Sequence, residues 1–177
     1  MRLLVGLGNP GEKYAENRHN VGFMFCDFFV SKTETNDTQQ FKFDKYSNSN
    51  FVKLENVIVV KPQTFMNRSG ESVRKCMIDD KTLKADDVFV AHDDLDIPIG
   101  KFKIEKGHGP RLHNGLESIE QCIGTKEFWR IRIGVDNRTS ENRIPGEAYV
   151  LQNFTDEEKK IIEQAFQEIY KSCRDAS

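Results

Sequence analysis

Arg2-Leu3-Leu4-Val5-Gly6-Leu7-Gly8-Asn9-Pro10-Gly11 is an apolar run that stops in a glycine-rich loop. The run has no polar alternation, the pattern of a short strand buried on both faces. Three glycines and a proline then break it. The spacing Gly6-x-Gly8-x-x-Gly11 matches the fingerprint of dinucleotide-binding folds, in which a helix opens within the motif and its first amides meet a pyrophosphate. Here Pro10 and Gly11 occupy that place, and Glu12-Lys13-Tyr14 carries no apolar helical face. The acidic residue due about 20 positions on, at the end of a second strand, is also missing; Asp27 falls inside a helical pattern instead. The loop is therefore read as a turn after a buried strand, one able to hold the Asn9 amide close to a ligand.

Outward from this strand, helices and strands intermix. Residues 20–32 have helical spacing with Asn20 at the capping position, and a second helix starts near Ser69. The stretch 32–50 is polar and reads as a loop or an irregular edge. Phe51–Leu54 and Val57–Lys61 suggest a hairpin turning at Glu55-Asn56. Val88–His92 is a second buried strand, ending in an acidic loop Asp93-Asp94-Leu95-Asp96. Gly100–Lys106 alternates as a strand and Trp129–Val135 is another. Asn114 is placed to cap a helix through Ile123, with Glu117 at its third position. Thr155-Asp156-Glu157-Glu158 is a capping box before a helix with Ile161, Ile162, Ala165, Phe166 and Ile169 on one side. The expectation is one α/β domain over residues 1–177, a twisted mixed β-sheet flanked by helices. Loops 6–19, 92–98 and 107–114 follow strands and precede helices, where open α/β sheets bind ligands.

A length of 177 residues suits a single core. The net charge of -2 argues against a protein that coats nucleic acid, but residues 101–143 carry a local +3 against -5 elsewhere. Such polarity steers an anionic ligand to one face, although counts this small also arise by chance. Cys26, Cys76, Cys122 and Cys173 have neither metal-ligand nor redox spacing and read as free thiols in a reducing compartment. No leader and no membrane-length apolar run is evident, so a cytoplasmic protein is expected.

His92, Asp93, Asp94 and Asp96 are the donor types a metal hydrolase uses. Consecutive residues after a strand point apart, however, and no second cluster with ligand spacing accompanies them, so no metal is expected. Two readings stay open: a solvated acidic turn, or one carboxylate orienting a distant histidine. Taken singly, His19 reads as a surface histidine, Asp93 as a strand end, and Asn20, Ser69 and Asn114 as helix caps. Phe65 and Met66 suit a core, and lysines and arginines suit solvated edges.

Five ordered segments change the weighting: Val5-Gly6-Leu7-Gly8-Asn9-Pro10-Gly11, Arg18-His19-Asn20-Val21-Gly22, Lys61-Pro62-Gln63-Thr64-Phe65-Met66-Asn67-Arg68-Ser69-Gly70, His92-Asp93-Asp94-Leu95-Asp96 and His113-Asn114-Gly115-Leu116. Together with Phe128-Trp129-Arg130-Ile131-Arg132-Ile133-Gly134-Val135 they resemble the bacterial-type peptidyl-tRNA hydrolases over nearly the whole chain. The resemblance implies a cofactor-free, metal-independent monomer that hydrolyses the ester between a peptide and tRNA, engaging the tRNA 3′ end and acceptor stem. It implies His19 as general base, Asp93 as its orienting carboxylate, and Asn9 beside the peptide's first amide. Asn67 and Asn114 would hold substrate and water. Tyr14 and Phe65 would line the cleft for the tRNA 3′ end, and Lys103, Lys106 and Arg132 would meet phosphates. The chemistry is compatible: neutral imidazole accepts a proton near neutral pH, and carboxamides donate to an oxyanion without titrating.

Two departures stand out. The family has a glycine-rich run before His-Asn-Gly, where this chain reads Lys106-Gly107-His108-Gly109-Pro110-Arg111-Leu112. Glu105 also falls where the family has a basic residue. Rival readings are a tRNA-binding module without chemistry and a nucleotide-dependent oxidoreductase. An intact His19, Asp93 and Asn114 weigh against the first, and the defective fingerprint weighs against the second.

Overall fold

The computed structural model describes residues 1–33, 40–142 and 144–175. The buried opening run forms β1 (Arg2–Gly6), at the middle of a seven-stranded mixed sheet among the described residues. The other strands are β2 (Lys42–Asp44), β3 (Ser49–Lys53), β4 (Val57–Pro62), β5 (Val88–Pro98), β6 (Phe102–Lys106) and β7 (Trp129–Asp136), in the order β2-β3-β4-β1-β5-β7-β6. β4, β1, β5 and β7 are parallel, whereas β2 with β3 at one edge and β6 at the other supply the antiparallel pairs. The hairpin at residues 54–57 closes as expected, with Leu54 N donating to Val57 O at 2.9 Å. The polar stretch 32–50 resolves in part into the edge strand β2; residues 34–39 lie outside the described residues.

Strand parity divides the core between the two faces. On one face α1 (Val21–Lys32) and α5 (Asp156–Asp175) pack Val21, Phe25, Ile162, Phe166 and Ile169 against Leu4, Val59, Ala91, Ile131 and Ile133. On the other, α2 (Ser69–Asp79) and α3 (Asn114–Ile123) pack Val73, Leu116 and Ile119 against Leu3, Val5, Val60, Val88 and Val90. A short α4 (Gly146–Val150), absent from the sequence reading, precedes α5. The capping box of α5 is present in both directions: Thr155 N donates to Glu158 Oε2 at 2.9 Å and Glu158 N to Thr155 Oγ1 at 3.2 Å.

The glycines of the opening motif serve packing. A Cβ on Gly6 would lie 2.3 Å from the Gly22 carbonyl oxygen, and one on Gly22 would lie 2.3 Å from the Ala91 oxygen. The first turn of α1 thus touches β1 and β5 backbone to backbone. No helix opens inside Gly6-x-Gly8-x-x-Gly11; single 3₁₀ turns at Glu12–Tyr14 and Arg18–Asn20 carry the chain to α1.

Three expectations are corrected. The acidic run is not a loop: β5 continues through it to Pro98, paired with β7 and interrupted by a register shift between Asp94 and Pro98. Buried partners for Asp93 and Asp94 make this possible. Asn114 does not cap α3; His113 does, with extended backbone and Nδ1 accepting from Gly115 N at 3.2 Å and Leu116 N at 3.4 Å. The segment 107–112 does not leave the carboxyl end of the parallel strands. Because β6 is antiparallel to β7, the segment starts at the far end, where Gly107 N donates to Phe128 O, and runs past Arg130 back to His113.

Candidate active site

β1 and β5 are neighbours, but the chain leaves them toward opposite sides of the sheet. Diverging connections of this kind open a crevice at the strands' carboxyl ends. His19 comes from the turn after β1 and Asp93 from β5. His19 Nδ1 stands 2.8 Å from Asp93 Oδ1, and the side chains are 15% and 4% exposed. Asp93 offers an acceptor, so Nδ1 is the donating nitrogen. Nε2 is left with its lone pair and no partner among the described residues.

The turn bearing His19 is clamped from behind. Arg18 donates to the carbonyls of Gln152 and Asn153 and, at 2.6 Å, to the buried Glu158 carboxylate. The Asn17 side chain bonds Asn153. Asn20 stands at the N-cap position of α1 but uses its side chain otherwise: Asn9 N donates to Asn20 Oδ1 and Asn20 Nδ2 donates to Asn9 O, each at 2.9 Å. This pair of hydrogen bonds fixes the Asn9 backbone. Asn9 Oδ1 accepts from Met66 N at 2.9 Å, which turns Nδ2 away as the free donor. The same contact brings the 65–68 turn to the crevice, with Phe65 59% exposed and Asn67 exposed. The first turn of α3 closes the group: a Cβ on Gly115 would lie 2.6 Å from Met66 Sδ and 2.8 Å from a Leu7 methyl. Asn114, beside it, is exposed.

The structure thus brings together His19, Asp93, Asn9 and the turns that carry Asn67 and Asn114. Tyr14 sits half-buried in the 3₁₀ turn between β1 and His19, under the Lys13 ammonium at 4.6 Å. The cations fare differently. Lys103 is exposed on β6, opposite Arg132 in the middle of β7. Lys106 is at the far end of β6, with Nζ 2.6 Å from Asp86. Arg132 is nearly buried, giving Nε to Asp94 Oδ2 and a terminal nitrogen to Glu105 Oε2, both at 2.7 Å. Glu105, the residue flagged as a departure, is therefore the partner of Arg132, whose guanidinium holds its carboxyl below the ordinary value.

Electrostatics follow burial and pairing. At His19, burial opposes the imidazolium, but the charge and hydrogen bond of Asp93 outweigh it and the pKa lies above the ordinary 6.5. At Asp93 burial would raise the pKa; the two imidazoles facing it, His19 and His113, hold it well below the carboxylate range. His92 is fully buried, with Nδ1 donating to the Asp93 carbonyl at 2.8 Å, and burial pushes its pKa down to about 3. His113 is the residue the sequence reading left without a role; its Nε2 lies 3.0 Å from the same Asp93 oxygen that His19 uses.

Among the described residues, His19, Asp93 and His113 are the group whose donor atoms converge as metal ligands would. Their hydrogen bonding argues against that use. His113 Nδ1 accepts the α3 amides, so its proton is on Nε2, the nitrogen a metal would need. His92, Asp94 and Asp96 do not join this group: His92 turns to backbone, Asp94 to Arg132, and Asp96 is exposed.

The chain is similar to known proteins along nearly its whole length. A family profile described as Peptidyl-tRNA hydrolase matches residues 3–176. The chain is 40% identical over 167 residues to Peptidyl-tRNA hydrolase of Lactobacillus gasseri, covering 94% of this chain and 88% of that one. It is 44% identical to Peptidyl-tRNA hydrolase of Pseudothermotoga lettingae, covering 93% and 83%. The crystal structure of peptidyl-tRNA hydrolase from Acinetobacter baumannii superimposes with a TM-score of 0.83 at 31% identity, covering 97% and 85%.

Proposed function

Because this chain belongs to the peptidyl-tRNA hydrolase family, we propose that it cleaves the ester between a peptide and tRNA by direct attack of water, with His19 as general base. The observation that carries the reading is the His19–Asp93 hydrogen bond, which leaves Nε2 without a partner among the described residues, in the turn that Asn20 ties to Asn9. Nε2 takes a proton from water as its oxygen attacks the ester carbonyl carbon. The tetrahedral intermediate expels the ribose oxygen, which takes that proton back. The products are tRNA with a free hydroxyl and a peptide carboxylic acid, which gives its proton to solvent at neutral pH. Asn67 and Asn114 supply uncharged donors to water and oxyanion. Asn9 Nδ2 faces the carbonyl that precedes the first peptide amide, so a substrate with a free amino group leaves this donor unpaired.

Tyr14 and Phe65 flank the opening as surfaces for the tRNA 3′ end, while the acceptor stem runs toward Lys103. Arg111, exposed on the 107–112 segment, is a second cation for phosphate. Lys106 and Arg132, already committed to carboxylates, are withdrawn from that role. The enzyme acts as a monomer on a soluble substrate in the cytoplasm. Among the described residues, no helix is long and apolar enough to cross a membrane.

The test is hydrolysis of N-acetyl-aminoacyl-tRNA beside the unblocked form, in the presence of a chelator, for the parent and His19→Ala. The blocked substrate is cleaved, the free one spared, and His19→Ala loses roughly 10²-fold or more in single-turnover rate with its thermal midpoint retained. Near-normal turnover by His19→Ala would refute the base assignment, and loss of parent activity with chelator would point to a metal.

A further inference from the structure

Asp93 Oδ1 receives two imidazoles: His19 Nδ1 at 2.8 Å and His113 Nε2 at 3.0 Å. A carboxylate serving one base needs only the first. The second is imposed by the fold. His113 is the N-cap of α3, and its Nδ1 accepts the amides of Gly115 and Leu116. An imidazole nitrogen that accepts carries no proton, so the one proton of the neutral ring is on Nε2, directed at Asp93. The side chain is 4% exposed, enclosed by the rings of His19 at 5.2 Å and His92 at 5.0 Å. It has no alternative donor arrangement that keeps the cap.

We propose that His113 is a positioning residue that takes up part of the Asp93 charge and so sets the basicity of His19. The inference rests on the reading of His19 as base. A buried carboxylate paired with one histidine stabilises imidazolium strongly, and a base held protonated at working pH accepts nothing. A second, neutral donor on the same oxygen draws down that charge while fixing the oxygen in place. Cap and carboxylate thus tie the first turn of α3, which also carries Asn114, to the catalytic pair.

The surrounding charges do not duplicate this effect. On β5, His92 donates to the Asp93 backbone, and Asp94 is paired with Arg132 of β7. In the His19 turn, Arg18 points back to Glu158 of α5. Arg130 of β7 binds Glu120 of α3, and Glu117 in the first turn of α3 is exposed.

His113→Asn separates the two functions. Asparagine is among the best N-caps, so α3 keeps its start, but its amide is too short to span to Asp93 as the ring does. The acidic limb of the rate–pH profile, and the His19 ring titration followed by NMR without substrate, should both move up by about half a pH unit or more. Turnover at pH 7 should fall about 3- to 10-fold as less base is free. Asp93→Asn moves the limb the other way, and a helix cap with no electrostatic role moves neither. A folded His113→Asn whose His19 titration is unchanged or lowered overturns the proposal. In the parent, ¹⁵N ring resonances should give His113 as the Nε2–H tautomer; the Nδ1–H form overturns it without any variant, even if His113→Asn fails to fold. Should His19→Ala keep its turnover, the base assignment fails by itself, while the His19 titration still decides the role of His113.

Discussion

At His19 two effects of opposite sign act on one proton. Removal from water disfavours the imidazolium, and the neighbouring Asp93 favours it by charge and hydrogen bond; the second prevails. The base is competent only when neutral. Activity should therefore fall as pH drops through a value above the ordinary 6.5, so kcat/KM should have its acidic limb on that side. Asp93→Asn removes the favourable charge and leaves the burial, so the limb should move down through 6.5. The rate should also drop, because the amide can present the wrong group to Nδ1. A rate–pH series for the two proteins checks this, and an unmoved limb in a folded Asp93→Asn would dissociate Asp93 from the base.

Strand β5 places three successive charged or titratable residues, His92, Asp93 and Asp94, in its buried middle. Each has a different outlet. The His92 ring meets backbone, Asp93 faces the two catalytic-side histidines, and Asp94 turns to Arg132 on the α2–α3 side of the sheet. Arg132 reaches from Asp94 on β5 to Glu105 on β6 and so staples three strands. Asp94 is wholly enclosed, and breaking such a pair from one side leaves an uncompensated charge. Arg132→Ala should then cost on the order of 3 kcal/mol in denaturant unfolding. A stability near that of the parent, combined with weakened tRNA binding, would return Arg132 to the phosphate contacts.

Over the whole molecule the charge is -2, so attraction to tRNA depends on where cations are free rather than on how many exist. The local +3 of residues 101–143 overstates the supply: Arg130, Arg132 and Arg138 are each bonded to a carboxylate, and Lys106 pairs with Asp86. Lys103 and Arg111 are left on the proposed tRNA side. Two contacts, at about 0.7–0.9 each, give a log–log salt slope of roughly -1 to -2. Lys103→Ala should lower affinity for tRNA and flatten that slope by nearly one. A slope several times steeper would mean that the paired arginines open to meet phosphate.

Local chemistry was sufficient for much of this molecule. Apolar runs without alternation marked β1 and the start of β5. Thr155 and Glu158 marked the start of α5, and the defective glycine fingerprint excluded a dinucleotide loop, because each signal resides in residues within a turn or two of one another. Asn9, His19, Asn67, Asp93 and Asn114 were singled out by the resemblance of the ordered segments, not by their local chemistry. Pairings between distant residues were decided only by tertiary structure. A carboxylate run reads as solvated until Arg132, 38 residues from Asp94, and His19, 74 residues from Asp93, arrive to neutralise it. Asn114 has a better capping side chain than His113 by propensity, yet the ring wins because Asp93 holds its other nitrogen. Sequence specified which donors and acceptors exist; the sheet order determined which of them could meet, and burial made those meetings obligatory, since an unpaired charge or amide there has no water to turn to.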